Sequence, residues 1–338
     1  MRRSWAAWLA ILGRREGGTS LALFRLITAA ALIYNLVPAI LRGLVEVLWV
    51  DVAHGGYRPL TAAGSWLVAL LGGPTPGVVW GLVVVTLVAG VALLAGVGGR
   101  IGGRLVALVA LQGMFAISMI NGDAKGSYDA LLCNSLWLLV LGDGTATLSL
   151  DARRRGGSWR SELLVAAWPR YLVITQLIAV YASTGLHKVS AFWLPMGGYT
   201  ALYYILLQPT WHRWEMYWLA WVFPLTQVLT ALTWTWEVSF PLVGLYLYLR
   251  QRPGEGGRLR RLLTRWDLRT PYVLFGASMH LMIFLLMEVG PFSFITLAYY
   301  PCLYRPAELR RAAAWIGRRL ARRGGERPAV TGAGAAPG

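Results

Sequence analysis

The sequence is poor in the residues that metal and thiol chemistry need. It holds two cysteines, Cys133 and Cys302, and four histidines in 338 residues. The cysteines form no C-x-x-C pair and the histidines no paired spacing, so no metal site and no disulfide framework are expected. Nucleophile-elbow, P-loop and zinc-protease motifs are all missing. The glycine-rich GVGGRIGGR is flanked by no strand–helix unit, so it reads as a tight turn and not as a dinucleotide site. No internal repeat and no paired intramembrane charges are seen, which argues against a transporter. Acidic residues are scarce, 15 against 32 lysines and arginines. The arginines cluster at 2–3, 14–15, 153–155, 250–269 and 310–323, beside apolar runs. They read as topology signals and contacts to anionic membrane lipids, and no nucleic-acid partner is expected.

Apolar residues fill the space that charge leaves. They make up 57% of the chain against 14% charged, with a mean hydropathy of +0.53, outside the range of soluble domains. Apolar runs of roughly 20 residues, enough to cross a bilayer, recur. The chain is therefore expected to be all-α, a polytopic transmembrane helical bundle of about eight to nine spans plus short interfacial helices. Spans are expected near 20–41, 77–97, 102–120, 128–148, 168–186, 215–232, 235–249 and 271–289. Shorter apolar pieces lie at 61–71, 197–208 and 292–304. Residues 1–19 read as an interfacial amphipathic segment, 20–305 as the transmembrane domain, 306–323 as a basic cytoplasmic segment and 324–338 as a disordered tail. The arginine-, alanine- and glycine-rich usage points to a bacterial inner membrane.

With basic segments placed inside, both termini are cytoplasmic. An odd number of crossings must then separate Lys188 from the arginines after 250. His54, the Asn121–Asp129 loop, His187, Lys188 and Glu288 should converge towards the outer face. Ionisable groups at such depths are candidates for function.

Each candidate has a plainer alternative. Lys188, in GLHKVSAFW beside Phe192 and Trp193, is a snorkelling helix end or a desolvated amine able to act as a base. His187 is its neighbour, turned about 100° away on a helix. His280 lies mid-span and should face protein, through a hydrogen bond to another helix or in a cavity. Glu288 falls about 80° round the same helix. Glu237, ahead of Pro241, needs a buried partner, and Arg25 is the plain choice. Asn121, Asp123, Lys125, Tyr128 and Asp129 form a polar connector or part of a site. Trp211, Trp214, Trp218 and Trp221, at helical spacing, read as an interfacial belt or a stacking wall for a quinone or lipid.

Five segments in order carry a resemblance. They are LALFRLITAAALIY, NGDAKGSYDALLCNSLWLLVLGDGTATLSLD, QLIAVYASTGLHKVSAFW, WEVSFPL and SMHLMIFLLMEVGPFSFITLAYYP. Together they span about 20–305, and they resemble the HTTM domain, the membrane domain shared by vitamin K-dependent γ-carboxylase and many bacterial proteins. The resemblance implies that Lys188 is the base that deprotonates a reduced, vitamin K-like quinone at the outer face. It further implies dioxygen-driven carboxylation of a glutamate in a secreted peptide or protein. Asn121, His187 and His280 join Lys188 as catalytic candidates; Tyr128, Trp193, Glu288 and Glu237 are candidate substrate contacts. Two departures stand out. Gly122 follows Asn121 where the carboxylase has histidine, and no large lumenal, propeptide-binding portion is expected in this sequence. The rival expectation is a non-catalytic membrane protein, such as an immunity, sensor or accessory component of peptide export.

Overall fold

A computed structural model describes residues 5, 9–60, 65–251 and 257–325. Helix α1 (Thr19–Leu41) is the axis of the bundle and packs against three others, α2 (Pro76–Ala95), α4 (Ser127–Leu141) and α9 (Phe292–Ala298). Helix α2 has clear start and stop signals. Thr75 accepts a hydrogen bond from the Val78 amide, Pro76 opens the first turn, and Gly96 ends the helix at φ +69°. A short glycine turn then reverses the chain into α3 (Gly99–Ile120), so α2 and α3 pack as antiparallel neighbours. Their backbones approach closely at Gly113, where a Cβ would come 3.1 Å from Thr86 Cβ.

The second half is built around α5 (Trp168–His187). It lies against α4, α6 (Phe223–Ser239) and α7 (Pro241–Gln251). Helices α6 and α7 are one element bent by 43° at the break before Pro241, which can neither donate an amide hydrogen nor fit under the preceding turn. Helix α8 (Arg269–Leu286) flanks this group, and α10 (Pro306–Gly325) carries the C-terminal arginines. The sole sheet among the described residues pairs β1 (Arg15–Gly17) with β2 (Leu164–Ala166), antiparallel.

Four helices, α1, α2, α3 and α8, are long and apolar enough to cross a membrane, and the bent α6–α7 unit makes up to five. The surface agrees with that reading. Val84, Val85, Val88 and Val91 on α2 and Leu274, Leu281, Met282 and Leu285 on α8 are exposed, as lipid-facing residues would be. Eight or nine such spans, as expected from the sequence, are not found among the described residues. The 128–148 run stops at Leu141, and 15 helical residues reach only about 22 Å. The runs 215–232 and 235–249 belong to one bent unit, and 197–208 contributes only the seven-residue helix Ala201–Leu207. The tryptophans from 211 to 221 stand on irregular backbone and a 3-10 turn (Tyr217–Val222), not on a helix face. The 1–19 segment is not one helix either: helix over 9–12 gives way at Gly13 to β1. The expected tail lies, from 326 on, outside the described residues, as do 61–64 of the 61–71 piece.

Contacts define the two ends of the bundle. At one end Arg170 donates to Glu16 at 2.5 and 2.9 Å and to the Cys302 carbonyl, while Arg269 grips Asp267 and Glu308. This basic end gathers arginines that are distant in sequence, among them Arg170, Arg250, Arg269 and Arg310. At the other end Arg58 pairs with Asp123, Arg213 pairs with Glu288, and Tyr128 packs under Gly290.

Candidate functional site

Helix α5 ends where Lys188 takes a non-helical conformation and its amide turns back to the Gly185 carbonyl. Just before that end the helix meets α6 at Gly185. A Cβ there would come 2.9 Å from Glu237 Cβ and 2.8 Å from the Val238 amide nitrogen. Only glycine lets the two backbones approach so closely. The close approach brings Lys188 Nζ onto the Glu237 carboxylate as an ion pair and hydrogen bond, with both side chains largely buried. The Trp193 ring, from the turn that follows, covers the ammonium at 4.4 Å. Glu237 therefore pairs with Lys188 and not with Arg25, which donates to the Leu148 carbonyl near the basic end.

One turn below Gly185 on the same face of α5, Tyr181 begins a second buried polar group. Its hydroxyl is hydrogen-bonded to His280 Nε2 at 2.9 Å and to the Tyr300 hydroxyl at 2.7 Å. His280, midway along α8, is 1% exposed and so turns inward, as a histidine at that depth must. Its Nδ1 has no hydrogen-bond partner. Trp236, Phe240 and Phe292 wall the group with aromatic edges. The Glu237 carboxylate interacts electrostatically with Tyr181, so the two groups adjoin. Together they place a cation, a carboxylate, two phenols and an imidazole inside an aromatic shell. The pair Lys188–Glu237 is neutral overall. The Tyr181 chain accepts hydrogen bonds in either direction, depending on the histidine tautomer.

The other sequence candidates lie elsewhere. His187 points outward, and its Nδ1 is 2.7 Å from the Ser183 carbonyl. Asn121 is buried but committed to backbone: Nδ2 donates to the Leu48 carbonyl at 2.7 Å and Oδ1 accepts from the Asp123 amide. It locks a loop junction. Glu288 is exposed and paired with Arg213 at 3.0 Å, and Tyr128 braces two loops at that end. His54 is exposed. Of the eight candidates, the structure brings Lys188, Glu237, Trp193 and His280 into one neighbourhood and leaves Asn121, Tyr128, His187 and Glu288 outside it.

The chain matches no known family model, no curated protein and no solved structure.

Sequence reasoning missed Tyr181 and Tyr300. A signal for the first was present. Tyr181, Gly185 and Lys188 recur at helical spacing, so they share one face of an otherwise apolar run. Tyr300 offered none, because it sits in a short piece whose neighbours only the fold supplies. Two cavities open at the basic end instead, one among Arg25, Arg100 and Arg104, the other among Arg170, Arg250, Arg269 and Arg305.

Proposed function

We propose that this is a bacterial inner-membrane enzyme of the HTTM, γ-carboxylase-like kind, acting on a reduced quinone through Lys188. The observation that supports this most is the Lys188–Glu237 pair under Trp193, at the broken end of α5. A buried amine with a carboxylate at hand can hand its proton to that carboxylate and stand neutral, the form a base needs. Glu237 thus sets the protonation state of Lys188, and Trp193 shields both from water. The surroundings suit a lipid-soluble aromatic substrate. Leu186, Val189, Phe192 and Met196 expose apolar surface beside Lys188, and the tilted rings of Phe192 and Tyr204 meet at its edge. A hydroquinone would supply the phenolic proton and the reducing electrons. The proton would leave its oxygen for the Lys188 amine. Tyr181, Tyr300 and His280 are then positioning groups that fix the α5–α6–α8 junction and offer a hydrogen-bonded exit for protons. Glutamate in a secreted peptide is the carboxylation substrate the resemblance implies.

The charge pattern completes the reading. Eight crossings result if α4, α5 and the 292–303 segment, α9 with the 3-10 turn after it, return across the membrane inside the protein, where a buried segment need not match the full bilayer thickness, joining α1, α2, α3, α6–α7 and α8. The basic end and both termini are then cytoplasmic, and the bent unit is the one crossing between Lys188 and Arg250.

The test is quinol turnover. Purified protein in vesicles with a naphthoquinol, dioxygen, labelled bicarbonate and a glutamate-rich peptide should oxidise the quinol and label the peptide. Lys188→Ala should lower the rate by roughly 10²–10⁴-fold, and Glu237→Gln should lower it too, with both variants retaining α-helical content. One observation favours a second reading, a non-catalytic membrane protein: Lys188 is already satisfied by Glu237 and Trp193 as a structural brace would be. If wild type does not oxidise the quinol, the enzyme reading fails and the brace remains; if Lys188→Ala and Lys188→Arg both turn over like wild type, Lys188 is not the base.

A further inference from the structure

Arg25 is the most unusual cation in the molecule. It lies within α1 and is 1% exposed. One of its nitrogens, Nη2, donates to the Leu148 carbonyl at 2.6 Å, a carbonyl presented by a residue held at φ +50°. Its Nε and Nη1 have no hydrogen-bond partner. A guanidinium carries five N–H donors, and buried donors left unpaired are costly. The surroundings are shaped to hold it. A Cβ at Gly96, which has φ +69°, would come 2.7 Å from Arg25 Cζ. Glycine at 96 therefore makes the room that the guanidinium fills.

Arg25 lines a cavity at the basic end that it shares with Arg100, Arg104, Asp143 and Thr145. Arg104 is anchored at its rim, with Nε donating to the Gly142 carbonyl at 3.1 Å. Arg100 is largely exposed and its Nε is only loosely paired, 3.8 Å from Asp143 Oδ2. Asp151 interacts with Arg25 at a distance while accepting from the Gly99 amide at 2.6 Å. Three guanidiniums against two carboxylates leave the site positive.

We propose that this cavity is a phosphate-group site. Its free space of about 10 Å³ is that of one water. That is room for one phosphate oxygen against Arg25, with the phosphorus and remaining oxygens at the mouth between Arg100 and Arg104. Charge-assisted hydrogen bonds from guanidinium to phosphate are strong and directional. The phosphate can come from a glycerophospholipid headgroup, since the cavity opens at the ends of membrane-length helices, or from free phosphate. The inference is independent of the reading of Lys188.

The test uses the whole protein in a neutral detergent, followed by thermal unfolding and native mass spectrometry. The probes are dioleoyl phosphatidylglycerol against dioleoylglycerol, and inorganic phosphate against chloride at equal ionic strength. Saturable stabilisation by phosphatidylglycerol but not by dioleoylglycerol supports a headgroup site. Saturable stabilisation by phosphate beyond chloride supports a free-anion site. Arg100→Gln with Arg104→Gln, both at the mouth, should weaken the effective probe by roughly tenfold or more. Arg100→Gln alone, which removes only a 3.8 Å contact, serves if the double variant fails to fold. The proposal is overturned if neither probe stabilises wild type saturably, or if these variants bind with wild-type affinity.

Discussion

At the scale of the residue, Lys188 and Glu237 define each other. Each is an expensive group to bury alone, and together they cancel. Lys188→Met leaves a buried carboxylate without its cation and is expected to cost about 3–5 kcal/mol. Lys188→Met combined with Glu237→Gln should recover most of that, because no unpaired charge remains. Denaturant unfolding in detergent across the four proteins of the double-mutant cycle measures the coupling. Single effects that simply add would show that the two side chains do not act as a pair. Much of this was legible in the sequence. Lysine, glutamate and histidine stand out in apolar runs because such positions forbid unpaired charge. What was not legible was pairing. The sequence offered Arg25 for Glu237, and only the fold, by setting α5 against α6, put Lys188 there instead.

At the scale of the element, the junction depends on how closely helices approach. Gly185 sits where any side chain would meet Glu237 and the α6 backbone. Gly185→Ala should push α5 from α6 and destabilise by about 1–3 kcal/mol, an overpacking cost. Gly81→Ala on α2, where a Cβ meets nothing within 4 Å, is the control and should be neutral or mildly stabilising. Thermal unfolding of the two variants side by side decides, and equal midpoints would deny the close packing. Long elements with end signals, α2 above all, were readable because Thr75, Pro76 and Gly96 act locally. The α6–α7 unit read as two spans, 215–232 and 235–249, because its apolar run is long enough to be divided; Pro241, where it bends, lay inside the second and does not say whether the chain bends or turns back. The Trp211–Trp221 spacing misled for the same reason: periodicity over few residues does not impose a helix when proline and exposed loops flank it.

At the scale of the whole molecule, charge separates the ends. Among the described residues, arginines scattered along the chain from Arg25 to Arg310 meet at one end. Within that end, burial raises the Glu308 carboxyl, but hydrogen bonds from Arg269 and the Arg305 amide and the charges of Arg269 and Arg250 lower it further, to about 2 against 4.5. A carboxyl so depressed contributes stability that is complete above about pH 4.5 and fades as pH falls towards about 2. The unfolding midpoint of wild type should therefore drop across that window, and Glu308→Gln should drop less. An identical pH profile for the two would show that Glu308 is not the group. Orientation is equally testable. With Cys133 and Cys302 replaced by alanine, cysteines placed at Tyr57 and Arg311 should react with an impermeant maleimide from opposite sides of the membrane. Labelling of both from the same side would contradict the two-ended arrangement.

The closure of α1 by the end of the chain has a consequence for biogenesis. Ser20 Oγ donates to the Tyr304 carbonyl, a contact between residues 284 apart, and Phe24 meets Tyr299 edge to face. Helix α1 is made long before its neighbours in α9. At ribosomal speeds of about 5–20 residues per second, it waits roughly 15–60 s for them. During that interval α2 and α4 can cover most of its inward face and Leu148 can pair with Arg25, but the strip that Ser20 and Phe24 turn towards Tyr304 and Tyr299 stays without its final partners.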